Sequence, residues 1–168
     1  MKIIKNVLSE DLFSRCKKEV NQKLSKNEWS SSVIIWEPGL REGIVGSTIA
    51  AMTSEEIHND IVKELAPHLP PFPDGLMTQY YIWQPHSGIA MHDDRGRRFG
   101  ATIYLNETWH PNSGGWFIWE DKDTREWNTV LPTKNMMVLN SSKEKHLVTS
   151  IAPDGVAIRV TIQIWGLI

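Results

Sequence analysis

Cysteine is almost absent from this 168-residue sequence, which contains one, Cys16. A single cysteine excludes an intramolecular disulfide and any zinc module built from several cysteines, and it fits a reducing compartment. An excess of basic charge is also absent, because 18 Lys and Arg stand against 20 Asp and Glu and give a net charge of −2. The sequence therefore lacks the broad electrostatic footprint of a nucleic-acid-binding protein, and we do not expect a nucleic-acid partner.

Long apolar runs are absent as well. No stretch approaches the roughly 20 apolar residues that span a bilayer, and the N-terminal MKIIKNVLSEDLF lacks the apolar core and cleavage site of a signal peptide. We expect a cytoplasmic protein with no membrane partner. The composition, 40% hydrophobic and 23% charged, is that of a folded globular protein, and the length predicts a single domain over residues 1–168. The oligomeric state is not predicted.

Two amphipathic helices are predicted in the first third of the chain. Ser9 is a suitable N-cap for a helix that ends near residue 26, and Thr53 or Ser54 caps a second helix, which the proline-rich segment LAPHLPPFP (65–73) ends. We expect Cys16 to lie on the core side of the first helix and His58 on the solvent side of the second, neither with a chemical role.

Short β-rich runs dominate from residue 76 onward. They are MTQYYIW, GIAMH, FGATIYLN, GGWFIW, NTVLPTK, NMMVLN, HLVTSI and GVAIRVTIQIW. SSVIIW (31–36) predicts an earlier strand, and EPGLREG (37–43) a mobile surface loop. Many short strands after two helices predict a mainly β fold with flanking helices. We predict a double-stranded β-helix, a cupin-like jelly roll over about 76–166, with the helices of about 1–70 packed on one sheet.

The stretch MHDDRG (91–96) places a histidine and two carboxylates side by side. Alternate side chains of a strand share a face, so we predict that His92 and Asp94 point one way and Asp93 the other. His92 and Asp94 can then bind one metal ion. The alternative is a charged surface loop before RGRR (95–98), and the short motif alone does not exclude it.

His146 is the candidate for a third metal ligand. It begins the run HLVTSI after the polar stretch NSSKEK, at a strand end where sites on β folds collect, although an exposed histidine is the simpler alternative. Two histidines and one carboxylate on one side of Fe(II) leave positions open for a cosubstrate and oxygen.

The last strand, RVTIQIW (159–165), places Arg159, Thr161 and Gln163 on one face. This polar face either meets water, as in an ordinary amphipathic strand, or lines the interior of a jelly roll. In the interior, the planar guanidinium of Arg159 can hold a carboxylate through two parallel hydrogen bonds, and Thr161 can add a hydroxyl. Tyr104, on the polar face of FGATIYLN, can reach the same anion.

The order of these motifs resembles a known family. HDD (92–94), His146 and Arg159 in RVT resemble the HxD, distal His and RxS/T signature of iron(II)/2-oxoglutarate-dependent oxygenases. TIYLNETW, SGGWFIWED and RVTIQIW are similar to the prolyl 4-hydroxylase branch of this superfamily. The resemblance covers about residues 76–166.

The resemblance implies a set of site residues and cofactors. The implied metal ligands and catalytic residues are His92, Asp94 and His146. Arg159 would pair with the distal carboxylate of 2-oxoglutarate, assisted by Tyr104 and Thr161. The implied cofactors are Fe(II), 2-oxoglutarate as cosubstrate and O2, with ascorbate as a candidate reductant. The implied reaction is hydroxylation of an unactivated C–H bond with release of succinate and CO2.

One departure from the family pattern lies upstream of HDD. The family often has a tyrosine followed by proline and glycine there, whereas this chain reads YIWQPHSG, with Trp83 and His86 in the corresponding places. Tyr81 shares a face with Trp83 and can compensate. His86 and His110, both in turn-rich segments, are ligands only if the main assignment fails.

The substrate is predicted by resemblance alone. We favour a prolyl 4-hydroxylase-type reaction on a peptide or protein. The alternatives are a hydroxylase of a free amino acid or small metabolite and, from another class, a non-catalytic cupin-like metal-binding or sensor protein. Arg95, Arg97 and Arg98 directly follow the HDD motif. We interpret them as a solvated basic loop in preference to a grip for an anionic substrate group.

Overall fold

The structure, a computed structural model, describes residues 1–26, 32–34, 38–40, 44, 46–153 and 158–168. The helices are α1 (Glu10–Lys26) and α2 (Glu55–Leu65). The strands are β1 (Lys2–Lys5), β2 (Ser32–Ile34), β3 (Thr48–Met52), β4 (Leu76–Trp83), β5 (Ile89–His92), β6 (Phe99–Tyr104), β7 (Phe117–Glu120), β8 (Trp127–Val130), β9 (Met136–Asn140), β10 (His146–Val148) and β11 (Arg159–Gly166). Short 3-10 turns occupy Pro38–Leu40 and Pro111–Ser113.

Both helices begin where the capping residues predict. The Ser9 hydroxyl accepts a hydrogen bond from the backbone N–H of Leu12 at 3.2 Å, which is N-cap geometry. Of the two candidates for α2, the structure selects Ser54, whose hydroxyl accepts from the backbone N–H of Ile57. Cys16 is fully buried, as its place on the core side of α1 predicts.

The prediction for His58 is wrong. Its side chain is half-buried, and its Nδ1 lies 2.8 Å from the Oγ1 of Thr78 on β4. Thr78 is itself fully buried and shares a second hydrogen bond of 2.5 Å with the hydroxyl of Thr53. Helical periodicity placed His58 opposite the apolar stripe, but periodicity carries no information about a polar partner on the neighbouring sheet.

The strands form two antiparallel sheets. Seven strands lie in the order β1-β9-β6-β11-β4-β3-β2, and four in the order β5-β10-β7-β8. β11 lies at the centre of the larger sheet, where Arg159 stands opposite Trp83 and Thr161 opposite both Tyr81 and Tyr104. The two sheets confirm the predicted jelly roll.

The larger sheet separates two apolar clusters. On its outer face, side chains such as Ile103 and Ile162 pack against Leu12 and Ile61 of the two helices, so the helices cover one face as predicted. The inner face contributes residues such as Trp83 and Tyr104 to a second cluster, which includes Phe117 and Val148 of the smaller sheet. Cross-strand partners share a face, so Arg159, Thr161 and Gln163 lie on this inner face. The water-facing alternative for the last strand is therefore wrong.

Two strands were not predicted from the sequence. β1 (KIIK) has no clear alternation, and β3 (TIAAM) contains two alanines, which are weak strand formers. β3 is a strand because it pairs with β4 along its whole length, from Thr48 opposite Trp83 to Met52 opposite Gln79. β2 confirms the centre of SSVIIW. The other residues of that run and residues 37 and 41–43 of the predicted loop lie outside the described part of the chain.

No helix within the described ranges is long and apolar enough to cross a membrane.

Candidate active site

A cavity of about 560 Å³ lies between the inner face of the larger sheet and the smaller sheet. This volume is typical of pockets for small ligands. Its apolar wall includes Trp83, Phe117, Val138, Val148 and Trp165. Its polar wall includes His92, Asp94, Asn140, His146, Arg159 and Gln163. The ionisable side chains singled out from three separate sequence motifs thus meet in one cavity.

The predicted metal ligands His92, Asp94 and His146 come together in the cavity wall, and we call them the ligand cluster. One donor atom from each of His92, Asp94 and His146 lies within 4.8 Å of the other two. Each carboxylate oxygen of Asp94 lies 3.7 Å from the Nε2 of one histidine. His146 stands directly opposite His92 across the β5–β10 strand pair. Two imidazoles and one carboxylate in this arrangement suit Fe(II) with open coordination positions.

Strand alternation gives only part of the reason for this convergence. β5 ends at His92, so Asp94 lies beyond the strand, where the chain turns toward β6. Asp94 is brought back over β6, where a Cβ atom added to Gly100 would lie 2.7 Å from its Oδ2 and 2.8 Å from the ring of Trp165. Gly100 is therefore needed for the close approach of the Asp94 carboxylate to the sheet.

Backbone carbonyls orient both histidines. The Nδ1 of His92 lies 2.8 Å from the carbonyl oxygen of Ala90, and the Nδ1 of His146 lies 2.9 Å from that of Glu144. A carbonyl oxygen only accepts, so each Nδ1 carries the proton and each Nε2 lone pair is free for a metal. Burial lowers the pKa of His146, while the Asp94 carboxylate opposes this shift. The neutral, ligating form of His146 is thereby favoured.

Asn140 restrains the loop between β9 and β10, which ends at His146. Its side-chain amide donates to the carbonyl oxygen of Glu144 at 3.0 Å and accepts from the backbone N–H of Glu144 at 2.9 Å. The same carbonyl oxygen accepts the Nδ1–H of His146. The ring of Phe117 stacks on the His146 imidazole with 5.0 Å between the ring centroids and 16° between the planes. Polar and apolar contacts therefore restrain the ring together.

Arg159 is fully buried and lines the same cavity as the ligand cluster. Within the described ranges, none of its three guanidinium nitrogens has a hydrogen-bond partner, and neither has the buried hydroxyl of Tyr104. The Tyr104 ring centroid lies 5.1 Å from the guanidinium carbon. Burial lowers the pKa of Arg159 and raises that of Tyr104, and the nearness of the two groups partly opposes both shifts. A buried cation whose donors are unused is suited to an anionic ligand such as a carboxylate.

Thr161 and Trp83 complete the surroundings of Arg159. Thr161 is fully buried, and its Oγ1 accepts a hydrogen bond of 3.2 Å from the indole N–H of Trp83. The Trp83 ring also lies 4.7 Å from the guanidinium carbon of Arg159. Tyr81, the other aromatic residue on this face of β4, lies near Trp165, Arg97 and Asp94, and burial raises the pKa of its hydroxyl.

The three arginines after the HDD motif have different environments. Arg95 is exposed and bound to Asp93 at 2.7 Å, and Arg98 is bound to Asp74 at 2.8 Å. Asp93, predicted to face away, is itself in the cavity wall. Arg97 is half-buried in that wall, with its guanidinium carbon 5.8 Å from the Trp165 ring. The basic-loop interpretation therefore fits Arg95 and Arg98 better than Arg97.

Sequence reasoning missed three wall residues with defined contacts. Asn140 was read only as the end of a strand, and Gly100 and Trp165 were assigned no role. The alternation that places Tyr104 on the inner face of β6 also places Gly100 there and could have indicated it. His110, by contrast, caps a 3-10 turn. Within the part of the chain that the structure describes, neither His110 nor His86 belongs to the ligand cluster.

A family model described as the 2OG-Fe(II) oxygenase superfamily matches residues 76–166. A comparison with curated protein sequences finds no match.

Several solved structures share the fold. A Pseudomonas putida prolyl-4-hydroxylase is 17% identical, with a TM-score of 0.71 over 98% of this chain and 90% of that one. A Trichoplax adhaerens prolyl hydroxylase, solved with a peptide fragment of the hypoxia inducible factor oxygen degradation domain, is 16% identical, with a TM-score of 0.72 over 99% and 82%. HygX from Streptomyces hygroscopicus, solved with nickel, 2-oxoglutarate and hygromycin B, is 11% identical, with a TM-score of 0.62 over 98% and 82%.

Proposed function

The chain belongs to the 2OG-Fe(II) oxygenase superfamily, and on that premise we propose that it hydroxylates a prolyl residue of a peptide or protein with the residues of the cavity described above. The protein is a 2-oxoglutarate-dependent dioxygenase that uses Fe(II), 2-oxoglutarate and O2. The observation that carries the oxygenase reaction is that the His92, Asp94 and His146 cluster and the unpartnered Arg159 guanidinium share one cavity. The choice of a prolyl substrate is supported by the structural neighbours.

His92, Asp94 and His146 are proposed to hold Fe(II). The two Nε2 atoms are the histidine ligands because both Nδ1 atoms are committed to backbone carbonyls. Asp94 supplies the anionic ligand, and its side chain is only 7% exposed, so water has little access to it. When bound, Fe(II) supplies the oxidative decarboxylation of 2-oxoglutarate by O2, which yields succinate, CO2 and the oxidation of a substrate C–H bond.

Arg159 is proposed to bind the distal carboxylate of 2-oxoglutarate. Its guanidinium can donate two parallel hydrogen bonds to a carboxylate, and the site excludes the water that would compete for them. The Tyr104 hydroxyl, also buried and without a partner in the described structure, can donate a third. Thr161 can add its hydroxyl proton, because the oxygen is occupied as an acceptor by Trp83.

Two observations support a peptide or protein substrate. The Pseudomonas putida neighbour is a prolyl-4-hydroxylase, and the Trichoplax adhaerens neighbour was solved with a peptide fragment. These neighbours cover nearly the whole of this chain.

A free amino acid or small metabolite is the second candidate substrate. It is favoured by Arg97, which lines the cavity without a carboxylate partner among the described residues and so can hold an anionic group of a small substrate. HygX, solved with the small molecule hygromycin B, shows that a related fold accommodates such a ligand.

A mass-spectrometric screen tests the proposal. The protein with Fe(II), 2-oxoglutarate and air is incubated with a panel of prolyl peptides and, separately, with free amino acids, and each product is examined for the gain of one oxygen atom. Gain on a prolyl peptide, located to proline by fragmentation, supports the peptide reaction. Gain only on free amino acids overturns it in favour of the second candidate.

The matched control is Asp94→Ala, which should form neither hydroxylated product nor succinate. Under anaerobic conditions the wild-type protein with Fe(II) and 2-oxoglutarate should show a visible charge-transfer band that this variant lacks. A band that persists in Asp94→Ala would contradict the assigned ligand set.

A further inference from the structure

Trp83 occupies the position on β4 directly opposite Arg159 on β11, and its side chain is 3% exposed. It stands where the related oxygenases often have a tyrosine, so its role cannot be transferred from the family. Its surroundings show two separate contacts with the proposed 2-oxoglutarate site, one through the face of the ring and one through the indole N–H.

The first contact supports the charge of Arg159. The Trp83 ring lies 4.7 Å from the guanidinium carbon, within the range of a cation–π interaction. An acidic side chain here would also stabilise the cation, but it would occupy the N–H donors that a ligand carboxylate needs. An aromatic face attracts the charge and leaves the donors free. The three guanidinium nitrogens have no hydrogen-bond partner in the described part of the chain, as this arrangement requires.

The second contact orients Thr161. An indole N–H can only donate, so the Oγ1 of Thr161, 3.2 Å away, must be the acceptor. A threonine hydroxyl has one proton, and with its oxygen engaged by Trp83 that proton is directed away from the indole. Arg159 and Thr161 lie on the same face of β11, two residues apart. Both can therefore donate to one carboxylate.

We infer that Trp83 is a positioning residue for the 2-oxoglutarate carboxylate, acting through Arg159 by its ring face and through Thr161 by its indole N–H. The inference rests on the proposed role of Arg159. Phenylalanine at position 83 keeps an aromatic ring beside Arg159 but has no N–H, and leucine keeps neither. The two contacts can thus be removed one after the other.

The test measures 2-oxoglutarate affinity without turnover. The dissociation constant is determined by anaerobic titration of the Fe(II)-loaded protein and by calorimetry with Mn(II). Trp83→Phe should weaken 2-oxoglutarate about 5- to 10-fold, the usual effect of losing a hydrogen bond that supports a charged ligand. Trp83→Leu should weaken it by about a further 5-fold through loss of the cation–π contact. Metal affinity should stay within about 2-fold, because neither contact involves a metal ligand.

A double-mutant cycle separates positioning from general packing. Thr161→Val alone should weaken 2-oxoglutarate about as much as Trp83→Phe, and adding Trp83→Phe to Thr161→Val should have little further effect. The matched control is Trp116→Phe, which removes an indole N–H bonded to the carbonyl of Pro111 at 2.9 Å outside the cavity wall. This control should bind 2-oxoglutarate like the wild type.

Two results would overturn the inference. One is wild-type affinity for 2-oxoglutarate in Trp83→Phe. The other is an equal effect of Trp83→Phe with and without the Thr161 hydroxyl, since the N–H would then not act through Thr161. If the wild-type protein loaded with Mn(II) does not bind 2-oxoglutarate, the proposed role of Arg159 is wrong. That result is distinct from a failure of the inference about Trp83, because it is seen without any variant.

Discussion

Arg159→Met should make the ligand-free protein more stable while removing 2-oxoglutarate binding. Arg159 is fully buried, and its guanidinium nitrogens lack hydrogen-bond partners among the described residues. Methionine is similarly long, unbranched and uncharged, so it can fill the space without the cost of burying a cation. A buried cation that lowers the stability of the ligand-free protein is expected in a binding site, because the bound ligand compensates for that loss.

The magnitude follows from opposing contributions. Unsatisfied buried polar groups cost about 1–3 kcal/mol each, and a cation–π contact returns about 1–2 kcal/mol. With aromatic rings at 4.7 and 5.1 Å on the guanidinium, the aromatic contacts offset only part of the cost. We expect Arg159→Met to raise the free energy of unfolding by ~2 kcal/mol, comparable with other replacements of buried charges. For a chain of this length that is a rise in Tm of about 4–8 °C.

Ligand should reverse the order of stability. 2-Oxoglutarate at 100 times its Kd, with a bound divalent metal, should stabilise the wild-type protein by about 2.7 kcal/mol and leave Arg159→Met unchanged. Thermal unfolding of both proteins, with metal and with or without 2-oxoglutarate, measures both effects. If Arg159→Met lowers Tm without ligand, the guanidinium is not a net cost to the empty fold and the reasoning is refuted. An equal ligand-induced rise in both proteins would refute the assignment of Arg159 to the carboxylate.

Three further predictions concern the proposed metal site. Asp94→Ala should abolish Fe(II) binding, measured by metal analysis after gel filtration, whereas retained metal would contradict the role of its carboxylate. Gly100→Ala should weaken Fe(II) about 10-fold or more in a competition titration, because the new Cβ would lie 2.7 Å from the Asp94 Oδ2; unchanged affinity would mean that the carboxylate has room to move. Asn140→Ala should weaken Fe(II) about 10-fold and lower the free energy of unfolding by about 1–3 kcal/mol, since it removes both hydrogen bonds to Glu144 that hold the His146 connection. A loss of stability in Asn140→Ala with full metal affinity would show that His146 does not depend on this connection.

Much of the candidate site could be predicted because its chemical groups belong to rare residue types at ordered positions. His92, Asp94, His146 and Arg159 were each ambiguous alone, and their order along the chain led to the prediction that they share one cavity, as the structure shows. The role of Asn140 was not predictable in the same way, because an asparagine at a strand end most often serves a turn. Gly100 was missed because its importance comes from the atoms that a side chain at this position would contact. Those atoms belong to Asp94 and Trp165, which lie elsewhere in the chain.

Some predictions failed where local periodicity was the only guide. β3 was missed because its alanines have weak strand propensity and its pairing with β4 supplies the structure. His58 was assigned to solvent because a helical pattern shows which side is apolar and not what polar group a neighbouring strand presents. Asp94 was placed on a strand that in fact ends at His92.

The sequence by itself determined the alternation of side chains within each strand, the capping of both helices and the identity of the chemical groups, because these depend on neighbours along the chain. Only the tertiary structure decided which strands lie side by side. It therefore decided that Trp83 contacts Arg159 and also Thr161, which is 78 positions away in the sequence. Such contacts depend on the pairing register of distant segments, which burial of the whole inner face selects and no local pattern contains.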